Sequence, residues 1–492
     1  MINAKSFLCL IIVLFVCSCS IFKKVSEINL EADFVLAQEI AEEIKIEDLM
    51  KHLYVLSSDS LEGRETTKPG QKKAAEYIKN QFIKDGIYPT KTGEYYQKFN
   101  VSVTDFNRAT LSLNNQKLEL ISDFYLFGNT HDTLISNADV VDVGFGIVDQ
   151  QYDDYKNLDV KNKVVIIKEG LPPNINVSDS WENWRKKQKV ATEKGALAVI
   201  TVKKNYQSSI DRIAPFLLYP QMRMHKDVLS KATYIPNFCI SKTTYLNYKK
   251  EPSLTASFSV DINYEAETEN VLGYIEGSQY KDELLVISAH YDHIGFDNGE
   301  VCNGADDDGS GTVCLLSLAK AFSIAKQKGY DFKRSILFLA VSGEEKGLFG
   351  SRYYTDNPIY PLENTIADLN IDMVGRIDTI HTDMNYIYLI GSDKISMDLH
   401  NISEKVNQNY IKMDLDYRYN KDSDPNKFYY RSDHYNFAKN DIPVIFYFSG
   451  IHNDYHKPTD DFEKINFDKL HLTAKYVFFT AWELINRDKK LK

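Results

Sequence analysis

The sequence predicts an α/β protein, a three-layer sandwich around a mainly parallel central sheet, with a β-rich unit inserted into it. Three observations carry this. From Asn270 onward, apolar runs of strand length (Leu284–Ser288, Ile336–Val341 and Val444–Phe448) alternate with helical stripes. Runs of this kind belong to strands buried on both faces under covering helices. Between about Phe106 and Phe258 the pattern changes to short alternating or apolar runs separated by Gly, Asn and Pro. Finally, 492 residues, 43% hydrophobic and 26% charged, make ordinary globular composition for two or three domains. With 58 basic residues against 69 acidic ones, the net charge of −11 leaves no electrostatic footprint for nucleic acid.

The first segment reads as an address. Lys5 precedes an apolar run, Phe7 to Val16, too short to span a membrane and suited to a secretory signal. The run ends in Val16-Cys17-Ser18-Cys19, which resembles a bacterial lipobox. Residues 1–18 are therefore expected to be a signal peptide and Cys19 a lipid-bearing residue. Residues 19–45 are expected to be a tether with helical character near Leu30 to Ile44. The protein is expected to be an exported lipoprotein of the cell envelope, at the periplasmic or surface face of a membrane.

In the body, Gln71 to Gly86 reads as a helix with Ala75, Ile78 and Phe82 in one stripe and Gly86 as its stop. Val164–Ile167 and Leu197–Val202 are strand-like, with a helical stretch near Trp181 to Lys194 between them. Leu315, Leu318, Ala319, Phe322 and Ala325 form a helical stripe, and Asn466 to Arg487 a terminal amphipathic helix. The expected domains are 46–105 with 263–492, split by an insert at 106–262. Cys239, Cys302 and Cys314 have neither disulfide-framework nor zinc-thiolate spacing.

Ligand-type residues cluster where strands end, the usual place for sites in open α/β sheets. His290 and Asp292 closely follow one strand and, two apart, can share a face. Asp306-Asp307-Asp308 precedes a helix; three adjacent acids repel one another, and cations would remove the repulsion. The acids are not spaced as in an EF-hand. Glu344 and Glu345 follow the next strand and point in different directions, so one can bind metal while the other works as a base. Asp372 sits among apolar neighbours, where a carboxylate is costly unless paired or liganded. His456 comes late, after the last apolar strand.

Together these motifs resemble, in order, the co-catalytic two-zinc aminopeptidases and their relatives. The resemblance runs from about Leu49, where Leu53 to Arg64 looks like the family's N-terminal element. The insert resembles a protease-associated domain. What the resemblance implies is a pair of zinc ions per chain, with Asp307 bridging them. His290 and Asp372 would hold one ion, and Glu345 and His456 the other. It further implies Glu344 as general base acting with a metal-bridging hydroxide, Asp292 orienting His290, and Tyr455 at the oxyanion. Three ligand carboxylates and one hydroxide balance the +4 of two zinc ions. Arg431 to Phe437 matches a further segment near the cleft, with His434 in its wall; His293 and His452 are read as bystanders. The expected activity is removal of N-terminal residues from peptides. A carboxypeptidase or dipeptidase of the same fold would add a basic residue for the substrate carboxylate, from among Arg376, Arg418 and Arg431. A non-catalytic binding protein on the same fold is the alternative from another class.

Overall fold

The structure is a computed structural model that describes residues 30–126, 130–224 and 234–492. The signal segment and Cys19 lie outside the described residues. Among the described residues no helix is long and apolar enough to cross a membrane. The chain divides into two units. One holds the chain up to Gln97 together with Glu269–Lys492, and the other is Lys98–Thr268. The division falls several residues outside the expected 106–262.

The first unit is built on a mixed sheet. Its strands are β1 (Asn263–Ile275, of which the residues from Glu269 belong here), β2 (Tyr280–His290), β3 (Arg334–Val341), β4 (Thr365–Ile371), β5 (Tyr386–Ile390), β6 (Asp414–Asp416) and β7 (Val444–Phe448). They lie in the order β1-β3-β2-β4-β7-β5-β6. β2 runs parallel to β3 and β4, β4 to β7, and β5 to β6, while β1 and β5 meet β3 and β7 antiparallel. Alternate residues serve two cores. Leu285, Ile287, Ala289, Ile336, Phe338 and Ala340 face one, and Leu284, Val286, Leu337, Leu339 and Val341 the other. The period of two explains why the runs read as continuously apolar.

Helices that pack into the larger core include α1 (Phe34–Ala41), α2 (Ile46–Leu56), α3 (Pro69–Lys84), α4 (Gly311–Gln327) and α5 (Phe467–Asn486). α3 and α5 match their expected stripes, with Ala75, Ile78 and Phe82 buried in one and Leu470, Ala474, Val477, Ala481 and Leu484 in the other.

The segment 30–45, expected to be a tether, is instead part of the folded body. Asp33 caps α1, accepting from the N–H groups of Val35 and Leu36. Phe34, Ala37, Ile40, Ala41 and Ile44 are buried at helical spacing. The Glu483 carboxylate on α5 accepts the N–H groups of Glu31 and Ala32 at 3.0 Å, and Trp482 Nε1 donates to Asp33 O at 3.1 Å. This cover explains why α5 also buries Phe478, Trp482 and Glu483, outside its expected inward stripe.

The second unit carries an eight-stranded mixed sheet. Its strands lie in the order Gln116–Leu118, Thr110–Leu113, Thr255–Val260, Thr133–Asp142, Val164–Lys168, Ala198–Lys203, Asn237–Ser241 and Phe124–Leu126. Apolar clusters cover both faces. The three described cysteines are free and buried.

Candidate metal centre

The sheet register assembles the site. His290 pairs with Val341 across β2 and β3, Ser288 with Asn370 across β2 and β4, and Ile371 with Tyr447 across β4 and β7. The carboxyl ends of these strands are therefore level. His290 ends β2, Glu344 and Glu345 follow β3, Asp372 follows β4, and His456 lies in the loop after β7. Asp307 comes from the loop before α4. Asp460 holds that loop, its Oδ2 accepting the N–H groups of Asp306 and Asp307 at 3.0 and 3.2 Å.

The five residues read as ligands converge in two sets that share Asp307. His290 Nε2 lies 3.3 Å from Asp307 Oδ1 and 3.6 Å from Asp372 Oδ1. His456 Nε2 lies 3.1 Å from both Asp307 Oδ2 and Glu345 Oε2. Ligands about 2.0–2.1 Å from a tetrahedral zinc stand roughly 3.3 Å apart, so both sets have the spacing of ligands around one ion each. His456 Nε2 and Asp307 Oδ2 are buried without a hydrogen-bond partner, as atoms reserved for a cation would be. The donors are imidazole and carboxylate with no thiolate, which suits zinc.

Two other groupings also bring ligand atoms within 4.8 Å of one another: His290 with Asp308 and Asp372, and His293 with Asp307 and Glu345. Asp308 is already committed. Its Oδ1 accepts from the N–H groups of Gly311 and Met373 at 2.8 and 3.1 Å, and its Oδ2 from that of His290 at 3.2 Å. It therefore fixes backbone. His293, read from sequence as a bystander, is fully buried with Nδ1 2.8 Å from Glu345 Oε1. That contact leaves Oε2 of Glu345 facing His456. His452 is likewise engaged, with Nε2 3.2 Å from Asp306 Oδ2. Neither was legible from spacing, because each meets its partner only through the fold.

Asp292 meets His290 through its main chain. His290 Nδ1 bonds the main-chain carbonyl of Asp292 at 3.0 Å, and the Asp292 carboxylate lies 3.9 Å away. That carboxylate instead accepts from Thr66 Oγ1 at 2.7 Å and from the Glu344 N–H at 3.2 Å. It thus ties the N-terminal element to the Glu344 turn. Asp372 is oriented by Ser432, whose Oγ donates to its Oδ2 at 2.6 Å. Asn370 Nδ2 in turn donates to that hydroxyl at 2.8 Å. Thr66 escaped the sequence reading, and Ser432 was read only as part of the segment Arg431 to Phe437, as single hydroxyls carry no spacing signal.

The electrostatics follow from burying this many acids together. Burial drives the Glu344 carboxyl well above the ordinary range; His290 opposes this, while Glu345 and Asp433 add to it. Burial and Asp307 also push Glu345 up, but the imidazoles of His293 and His456 beside it outweigh them and hold it at about 2. Burial alone would lower His456, yet Asp307 and Glu345 hold it at about 10. His290 is likewise raised against its burial by Glu344 and Asp372. Without metal, protons on the imidazoles balance the carboxylates; a bound cation takes their place.

A small cavity of 30 Å³ opens at the site. His290, Asp307, Glu344, Asp372 and Tyr455 line its polar side, and Met373, Phe428, Phe446, Phe448 and Ile451 its apolar side. Tyr455 stacks on His456, with centroids 3.9 Å apart. His434 is buried and stacks on Phe446 at 4.8 Å, behind this wall. A larger groove of 790 Å³, beside Tyr88, Tyr274 and Tyr360, contains none of these residues.

Residues 270–481, which include all five residues read as ligands, match the profile of peptidase family M28. The match covers less than half of the chain. Aminopeptidase YwaD of Bacillus subtilis strain 168 is 25% identical over 245 residues, covering 46% of each chain. A probable leucine aminopeptidase of Arthroderma benhamiae is 30% identical over 211 residues, 41% of this chain and 54% of that protein. The chain spans about half the length of these curated relatives. Among solved structures, the aminopeptidase from Aneurinibacillus sp. strain AM-1 superposes with a TM-score of 0.50 at 21% identity, covering 93% of this chain and 97% of its own. BSAP, a zinc aminopeptidase from Bacillus subtilis, gives 0.50 at 20% identity, with 91% and 96% covered. These likenesses establish an M28-type fold.

Proposed function

We propose that this M28 chain is a two-zinc aminopeptidase that hydrolyses N-terminal residues from peptides. The observation that carries the reading is the division of Asp307, one oxygen toward each ligand set, with Glu344 beside both in a half-apolar cavity. His290 and Asp372 would hold one ion, Glu345 and His456 the other. Two zinc ions, when bound, supply Lewis acidity for the scissile carbonyl and lower the pKa of a water. Glu344, raised by burial, takes the proton from the attacking water and returns it to the leaving amine. The hydroxyl of Tyr455 faces the developing negative charge, and the wall of Met373, Phe446 and Phe448 receives an apolar side chain.

The test is metal analysis with a paired variant. The wild-type chain is expected to hold two zinc ions and to trim a peptide library from the amino end. Glu344→Gln is expected to keep both ions and to lose turnover by about 10²–10⁴-fold, the usual worth of a positioned base. Unchanged turnover in that variant would remove Glu344 from the role.

Carboxyl-end recognition remains a second reading because of one residue. Arg376 is paired with Asp454 at 2.8 Å and Arg418 with Asp416 at 2.7 Å, but Arg431 lines the cavity, its Nη2 3.5 Å from the Tyr455 hydroxyl. Product masses from the same library separate amino-end from carboxyl-end trimming. A chain that binds peptide without cleaving it would be a non-catalytic binding protein. The reading also includes export: Cys19 as a lipidated residue after an eighteen-residue signal, and a protease-associated role for the unit Lys98–Thr268. Mass spectrometry of the membrane-extracted protein tests the lipid.

A further inference from the structure

A residue from the far N-terminal side of the sequence reaches the segments that carry the candidate metal centre. Arg64 is 1% exposed, and its guanidinium reaches main-chain carbonyls on three separate segments. Nε donates to Tyr291 O at 2.8 Å, between His290 and Asp292. Nη1 donates to Leu56 O and, at 2.6 Å, to Asn303 O; Nη2 donates to Gly304 O at 2.9 Å. The last two carbonyls open the loop that carries Asp307. The main-chain carbonyl of Arg64 also accepts the N–H of His293 at 3.2 Å. Among the described residues no carboxylate touches the guanidinium directly, yet Asp307, Asp292, Asp308 and Asp460 all act on its charge.

The local backbone is bent to deliver this side chain. Glu62, Gly63 and Arg64 have φ of 52°, 64° and 51°, a left-handed run that costs the two non-glycine residues. At Gly63 a Cβ would lie 2.2 Å from Gly295 O, so glycine is required there for close approach as well. Strain of this kind persists only where surrounding contacts fix it, and the hydrogen bonds of Arg64 do so. Burying a guanidinium is itself costly without compensation; here a nest of buried carboxylates supplies it.

We infer that Arg64 is a positioning residue for the metal centre: it ties the His290–Asp292 segment to the Asp307 loop and places a permanent positive charge behind the carboxylates. This rests on the two-metal reading. The charge is fixed at every working pH, and the planar fork reaches three segments at once, which a lysine ammonium does not. Arg64 therefore sets the spacing between His290 and the Asp307 oxygen that faces it.

The test uses the full chain as wild type, Arg64→Lys and Arg64→Gln. Each is stripped of metal, titrated with zinc against a chelator, and reconstituted with cobalt for its visible spectrum. Wild type is expected to take two ions; failure there overturns the two-metal reading whatever the variants do. Both variants are expected to bind the ions about 10–100-fold more weakly, the usual cost of losing an outer partner of a metal site. They are also expected to show a changed cobalt spectrum and a kcat that recovers in excess zinc at unchanged KM. Variants that fold only when zinc is added support the inference too. Wild-type affinity and spectrum in both variants overturn it. Failure of both to fold even in excess zinc also counts against it, because the role is then general support of the fold.

Discussion

His456 shows what one side chain's surroundings do to the chemistry. Its imidazole sits at about 10 because Asp307 and Glu345 outweigh its burial, so at neutral pH it holds a proton that a zinc ion bound there would expel. His290 is shifted in the same direction. The sign is then fixed: zinc affinity rises as pH rises from 6 to 8, by about tenfold per unit for each proton released. Competitive titration at three pH values checks this, and a flat profile would mean that neither imidazole is a ligand. The same raised imidazoles stabilise the metal-free fold fully below about 6.5. That contribution fades as pH climbs through the folded value, so the metal-free chain should melt earlier in alkali than near pH 6. Ser432 offers a milder probe. Ser432→Ala removes the 2.6 Å hydrogen bond to Asp372, and zinc affinity should fall about 10–100-fold with little change in melting of the metal-free chain.

At the scale of elements, the segment 30–45 is the clearest case of a role set by partners. Phe34, Ala37, Ile40 and Ile44 already sit on one helical face in the sequence, but a short stripe next to a segment read as an export signal reads equally as a tether. Contact with Tyr410 and with α5 decides between them: Phe34 stacks on Tyr410 at 4.4 Å and lies against Phe479 of α5, while Glu483 receives the entering backbone. Truncating a buried phenylalanine typically costs about 3–5 kcal/mol. Phe34 lies near the surface of the core, so Phe34→Ala should cost about 3 kcal/mol of stability, measured by chemical denaturation. A loss below about 1 kcal/mol would restore the tether reading. The strands behave oppositely: β2, β3 and β7 were legible as runs because each buries both faces, leaving no polar alternation to confuse them.

Across the whole molecule, the metal-type residues all fall in one of the two units, although that unit is interrupted in sequence by Lys98–Thr268. Zinc should therefore stabilise only the unit that binds it. Calorimetry is expected to resolve a transition that zinc raises and chelator lowers, and a second, from Lys98–Thr268, that neither moves; at a thousand-fold excess over Kd the linkage is worth about 4 kcal/mol. A single transition shifting as a whole would show that the units melt together. By itself the sequence determined the alternation of strands and helices, the α/β class and the residue types of the centre, because apolar periodicity and carboxylates at strand ends are local properties. Resemblance to the two-zinc aminopeptidases also implied His290, Asp307, Glu345, Asp372 and His456 as a set. Only the tertiary structure decided that Asp292 works through its carbonyl on His290, that His293 braces Glu345, and that Arg64, Thr66 and Ser432 reach the centre at all. Those contacts join residues as much as 240 positions apart in sequence. A partner at that separation is chosen by how strands register and loops close, and no local pattern records it.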